Sequence, residues 1–270
     1  MHQKTKDIQN RYIGFLQTPC LWKNNVVYEL EQFKITSKST KIDIEINEKL
    51  RLGKYIERFV SFQLQQEKSI NIVSENIQIQ KEKKTLGELD CIILKDDKPI
   101  HLEIIYKFYL FDASIGKNEI EHFIGPNKKD SLVEKLKKLQ EKQLPLLYSN
   151  ECVEYLESIY LSVEKITQQV YFKAQLFVPL SDKNRVLSTL NSECICGFFI
   201  KIKELEQFLD CKFFIPNKKD WLVTPHQNVN WLNINQYKLK SNEYLLREFS
   251  PLCWVKNPNG KIEKFFLVWW

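Results

Sequence analysis

The chain has 270 residues, 43% apolar and 27% charged, with a net charge of +6, the make-up of a globular protein with one large domain or two small ones. Its 7 glycines are too few for a glycine-rich nucleotide-binding fold, and no window holds the roughly 18 apolar residues of a membrane span. Seven scattered cysteines and a first segment without an apolar signal core predict a soluble, reduced, cytoplasmic protein with no membrane partner.

Residues 5–34 read as short helical patches around a Pro19-Cys20 turn, and residues 36–47 as a solvated loop or an exposed strand. Over 47–66 the apolar positions Leu50, Ile56, Phe59, Val60, Phe62 and Leu64 recur with helical period, predicting a long amphipathic helix. Strand-like runs follow at 70–80, 86–94 and 100–110. A loop over 112–127 leads to a lysine-rich helix, capped by Asp130 and stopped at Leu144 by Pro145. A strand at 171–178 completes the order α-β-β-β-α-β, which suggests a mixed sheet with helices on its faces. Beyond Ser181 the pattern gives a strand at 195–202, a short helix at 203–209 and a Trp-bearing loop at 216–232. A helix at 234–249 and a hairpin at 252–270, turned by Asn257-Pro258-Asn259-Gly260, end the chain. This predicts a core over 1–180, with an N-terminal helical layer, and a β-rich α+β elaboration over 181–270. The string Pro-Asn-Lys-Lys-Asp occurs at 126–130 and 216–220, and both copies carry turn-and-cap chemistry.

The most informative stretch is TLGELDCIILKDDKPIHLEIIYK, residues 85–107. A turn centred on Asp96-Asp97 sets Lys95 against Lys98 and, step by step along the strands, Asp90 against Glu103. Facing carboxylates destabilise a sheet unless a partner neutralises them. A hard divalent ion held through oxygen is one such partner, and a nearby lysine on a solvated face is another. The apolar flanks, Cys91 to Leu94 and Ile104-Ile105, indicate a covered strand in which a carboxylate needs company. Lys107 and His101 share Glu103's strand face. Lys107 reads either as a phosphate-facing cation or as a strand-end lysine reaching solvent, and His101 as structural or as a group for the ion or a nucleic-acid backbone. Glu57 sits in the first long helix beside Ile56 and Phe59, and Glu88 has Asp90's parity as a spare carboxylate. The lysines of the later helix, Lys135, Lys137, Lys138 and Lys142, form a solvated face or a phosphate-tracking one. Cys194-X-Cys196 with Cys211 lacks the second close pair of a zinc site. Trp221 and Trp231 read as core packing ahead of base stacking.

The segments RLGKYIERFVSFQL, TLGELDCII, HLEIIYKFYL and IGPNKKDSLVEKLKKLQEKQLPLL, in that order, resemble the domain-of-unknown-function family 1853. That bacterial family is assigned to the PD-(D/E)XK nuclease-like superfamily. The resemblance is densest over 50–147 and weaker through the C-terminal half. It implies a restriction-endonuclease-like α-β-β-β-α-β core with a mixed central sheet. It also implies Mg2+-dependent (or Mn2+-dependent) hydrolysis of phosphodiester bonds in DNA, ahead of RNA. Asp90, Glu103 and Lys107 then take the catalytic places, and Asp90, Glu103 and Glu57 the metal. His101, Lys135, Lys138 and Gln143 would face the nucleic acid, Gln143 as the assisting glutamine of the second helix. One position departs from the pattern: the usual Glu-X-Lys spacing fails because residue 105 is Ile and the lysine follows at Lys107. The alternative implied by that departure is a catalytically inactive module that binds nucleic acid or a protein partner.

Overall fold

The computed structural model describes residues 3–23, 27–36 and 39–270; parts of the expectations for 5–34 and 36–47 therefore lie outside the described residues. The fold is mixed α/β, with nine strands in a mixed sheet among the described residues. Two compact units interleave along the chain. The first comprises Met1–Ile8, Cys20–Tyr106 and Glu134–Lys173, and the second Gln9–Pro19, Lys107–Val133 and Ala174–Trp270. Residues 9–19, 107–133 and 174–180, all inside the expected core over 1–180, thus group with the C-terminal residues.

The chain opens on one helix, α1 (Gln3–Gln17), in place of several short patches. In the first unit, α2 (Leu52–Gln65) buries Tyr55, Ile56, Phe59, Val60 and Leu64. It starts later than the apolar period suggests, because Leu50 closes a turn onto Asn47 and Arg51 is extended. β1 (Ile70–Lys81) and β2 (Lys84–Lys95) form a long antiparallel hairpin. β3 (Lys98–Phe111) then pairs with β2 from Lys95↔Lys98 to Cys91↔Leu102, the register that the turn residues predict. Asp96 and Asp97 both have positive φ, 49° and 60°, the primed turn that matches strand twist. Strand order in this unit is β1-β2-β3-β5, where β5 is Thr167–Pro179. Ile77, Ile79, Leu89 and Ile92 pack against Leu147, Cys152, Leu156 and Ile166, and each such buried aliphatic side chain contributes roughly 1.5–3 kcal/mol.

The lysine-rich helix differs from expectation. α3 covers only Leu132–Lys138, a π-helical turn follows over Leu139–Gln143, and a 3-10 turn runs over Leu144–Tyr148. Pro145 does not stop the helical path, since it lies at the start of the 3-10 turn, where its missing N–H is not needed. Asp130 accepts from Lys107 through its side chain. α4 (Asn150–Ser158) was not anticipated; Ser149 caps it by accepting from Cys152 N–H.

In the second unit, β4 (Phe123–Ile124) pairs with the end of β3. β6 (Ile195–Lys201) lies parallel to both β5 and β9 (Ile262–Val268). β8 (Leu252–Lys256) is antiparallel to β9, and β7 (Lys212–Phe214) to β8. α5 (Ile234–Leu245), started by an Asn233–Gln236 capping box, packs Tyr237 onto a core of Phe198, Phe213 and Phe265. It ends before 249, where Glu248 adopts a positive φ of 52°. All seven cysteines are free, and no described helix is long and apolar enough to cross a membrane.

Candidate metal centre

Alternation along β2 puts Glu88 and Asp90 on one face, and helical spacing puts Lys54 and Glu57 on one side of α2. These two elements bring oxygens of Glu57, Glu88 and Asp90 within 4.8 Å of one another. Lys54 Nζ donates into the same group, to Glu57 Oε2 at 2.9 Å, to Asn76 Oδ1 at 2.8 Å and to Glu88 Oε1. Asn76 serves Lys54 from the middle of β1 with φ 55°, a conformation Asn tolerates better than most residues.

Asp90 Oδ2 accepts the backbone N–H of Ile104 at 2.9 Å. Burial, reinforced by the charges of Glu103 and Glu57, raises the Asp90 carboxyl to about 8. Burial also raises Glu57, against the opposing pull of Lys54. Crowded, partly desolvated carboxylates of this kind either share protons or take up a cation.

Glu103 is placed differently from the expectation that grouped it with Asp90 as a ligand. It has no exposed surface, and both oxygens are engaged, Oε1 with His101 Nε2 at 3.1 Å and Oε2 by Gln143 Nε2 at 2.6 Å. Gln168 Nε2 donates to His101 Nδ1 at 2.9 Å and to the Leu144 carbonyl at 2.7 Å. With Nδ1 accepting from Gln168, Nε2 is the ring nitrogen that donates to Glu103. Lys135 Nζ completes the line by donating to Gln143 Oε1 at 2.7 Å. A relay of five side chains, buried at His101 and Glu103 and half-buried at Gln143, Gln168 and Lys135, thus fixes Glu103, whose charge in turn bears on Asp90. His101 is fully buried and reaches Glu103 and Gln168, whereas Lys138 is exposed.

Lys107 lies in the second unit, where its Nζ donates to Asp130 Oδ2 at 2.8 Å. Lys218 stands over the Trp221 ring at 3.2 Å from its centroid. Its amine is driven down to about 7, chiefly by burial and then by Lys107. The repeated Pro-Asn-Lys-Lys-Asp strings therefore supply a lysine and an aspartate to one charged neighbourhood, Lys218 and Asp130. Trp221 is 2% exposed and packs edge-on against Phe108 and Phe266, so it is a core residue.

Sequence reasoning missed Lys54 and Asn76. The available signal for Lys54 was its i,i+3 spacing from Glu57 in Lys-Tyr-Ile-Glu. Nothing in the sequence marked Asn76.

A family model described as "Domain of unknown function (DUF1853)" matches residues 16–268. The chain belongs to this family. The matched span includes Lys54, Glu57, Glu88, Asp90 and Glu103, so the carboxylate centre and the relay to Glu103 both lie inside the family's domain. Neither a curated protein nor a solved structure matches the chain.

Proposed function

We propose that this protein is a metal-dependent nuclease that hydrolyses phosphodiester bonds in DNA, built on a restriction-endonuclease-like core of the PD-(D/E)XK superfamily. The observation that carries this reading is the convergence of Glu57, Glu88 and Asp90 oxygens within 4.8 Å. The element order supports it, with α2, the three antiparallel strands β1 to β3, a helical segment and then β5. So do the net charge of +6 and the exposed Lys137 and Lys138, which suit a phosphate backbone.

The donor set fits Mg2+ or Mn2+, because all three donors are carboxylates and hard ions prefer oxygen. Glu57, Glu88 and Asp90 would hold the ion. When bound, it would supply Lewis-acid polarisation of a phosphoryl oxygen and an activated water. The chain's own residues do the rest. The raised Asp90 carboxyl holds a proton near neutral pH and would have to release it to serve as a ligand. Lys54, on the flank of the carboxylates, offers positive charge to an incoming phosphate once those oxygens are engaged. Glu103, held by His101 and Gln143, keeps Asp90 basic through its own charge.

A second reading is favoured by one observation: Lys54 already neutralises Glu57 and Glu88, and Lys107 is committed to Asp130. On that reading the fold binds nucleic acid or a protein partner without cleaving it. The deciding measurement is cleavage of linear, nicked and single-stranded DNA and of RNA with 5 mM Mg2+ or Mn2+, using wild type and Asp90→Asn. The nuclease reading expects metal-dependent products that fall at least about a hundredfold in the variant, on the scale of losing a charge-stabilising group. DNA binding without cleavage under either metal, unchanged by Asp90→Asn, would establish the binding module instead.

A further inference from the structure

The second unit contains a cavity of about 540 Å3 whose lining shares no residue with the carboxylate centre. It lies beside the parallel strands β6 and β9, where Gly197 is paired with Lys264. A Cβ on Gly197 would meet the Lys264 carbonyl oxygen at 2.2 Å, so only glycine permits this close approach.

Lys264 is the unusual residue. It is 6% exposed, in a position where a charge is expensive unless paired. Its Nζ donates to Gln175 Oε1 at 3.0 Å and to the Trp221 carbonyl at 2.7 Å. Both acceptors are neutral. An ammonium has three N–H groups, so one donor and the full positive charge remain for something else. The Gln175 oxygen is also used by Cys196 Sγ at 3.4 Å, so it has little left to offer. Cys196 supplies no counter-charge, because desolvation raises its thiol to about 11 although the residue as a whole is exposed. Burial has already pushed the Lys264 amine down to about 8, the mark of a cation without a matching anion.

Of the other charges around the cavity, Glu263 is held by lysines, accepting from Lys183 at 3.3 Å and from Lys261 at 3.1 Å. Three lysines and two glutamates line the cavity, a surplus of one positive charge. Leu222, Pro225 and Ile262 add apolar wall. The volume falls within the roughly 300–1,000 Å3 of small-molecule sites, which combine apolar walls with a few placed polar groups.

We propose that this cavity binds a small amphiphilic organic carboxylate, its head accepting from Lys264 Nζ and its apolar body lying along Leu222, Pro225 and Ile262. A monoanion matches the single surplus charge. A phosphate dianion would need a second cation, and Lys183 and Lys261 are held by Glu263. The site stands independently of the nuclease reading, since neither depends on a residue of the other.

Calorimetric titration of the full chain with octanoate and benzoate, beside benzamide and inorganic phosphate, tests the assignment. One carboxylate per chain is expected, with affinity at least about tenfold weaker in Lys264→Met and no detectable benzamide binding. Bound carboxylate should also slow alkylation of Cys196 by N-ethylmaleimide, read by mass spectrometry. Cys196→Phe, a substitution at an exposed position that narrows the cavity, should abolish binding and serves if Lys264→Met does not fold. Absence of binding by both carboxylates would overturn the proposal. So would unchanged affinity in Lys264→Met, equal binding of benzamide, or tighter binding of phosphate than of either carboxylate.

Discussion

Replacing Asp90 by Asn probes the carboxylate centre through stability, without any assumption about catalysis. The Asp90 carboxyl is raised from 3.8 to about 8 in the fold, mainly by burial and then by Glu103 and Glu57. An unfolded chain releases the same proton near the ordinary value. Between those limits the folded state holds a proton that the unfolded state has lost, so stability falls as pH rises. The contribution is complete below about pH 4 and gone above about pH 8. At about 1.4 kcal/mol per pH unit, the shift corresponds to a ceiling of about 6 kcal/mol. Partial solvent access and proton sharing with Glu57 reduce the expected effect to about 2–3 kcal/mol. Asn cannot ionise, yet its amide oxygen can still accept the Ile104 N–H. The variant should therefore match wild type near pH 4.5 and exceed it by about 2–3 kcal/mol at pH 8.5. Urea unfolding followed by tryptophan fluorescence, in EDTA across that range, measures the difference. Millimolar Mn2+ should restore wild-type stability at the alkaline end and leave the variant unmoved. Parallel pH profiles for the two proteins would refute the account of Asp90.

Two further perturbations separate the roles of the surrounding groups. Lys54→Met removes the resident cation from among Glu57, Glu88 and Asn76. It should cost about 1 kcal/mol, discounted for the exposure of Lys54, while tightening Mn2+ binding about tenfold by paramagnetic resonance titration; weaker Mn2+ binding would show that Lys54 does not compete with the ion. Gln143→Ala strips one donor from a carboxylate with no exposed surface. It should destabilise the fold by about 2–3 kcal/mol, and a loss below about 0.5 kcal/mol in urea unfolding would mean that Glu103 finds another partner.

The β2–β3 register was legible in the sequence because Asp96-Asp97 can adopt the left-handed turn that the flanking strands require. α2 was legible because its apolar residues repeat with helical period, and this also placed Glu57 on the correct element. Parity identified Glu88 as a companion of Asp90. It could not say that Glu88, and not Glu103, would join Asp90 and Glu57, since that depends on where α2 packs. Parity also put His101 on Glu103's face, whereas the reach of Gln143 to Glu103 was hidden. It requires a π-helical turn, for which Leu-Gln-Glu-Lys-Gln carries no distinctive pattern. Pro145 misled because proline ends a helix only in its interior and is harmless at the start of a new turn. α4 escaped notice because only Cys152 and Leu156 are buried along it.

The π-helical turn over Leu139–Gln143 has a consequence for how this segment can vary. An α-helix advances about 100° per residue, and a π turn accommodates an extra residue in its winding. The wide turn lets Gln143 reach Glu103 while Leu136 and Leu139, earlier in the same segment, stay buried. Removing a single residue at Glu141 would restore regular winding with the flanking turns in nearly the same phase, because the residue lost is the one that the wide turn had absorbed. Gln143 would keep its side of the helical path and draw back along the axis by about 1.5 Å. The same deletion within Leu132–Lys138 would instead rotate every later side chain by about 100° and carry Gln143 away from Glu103. A change of length is therefore tolerated at this turn and not in the regular helix before it.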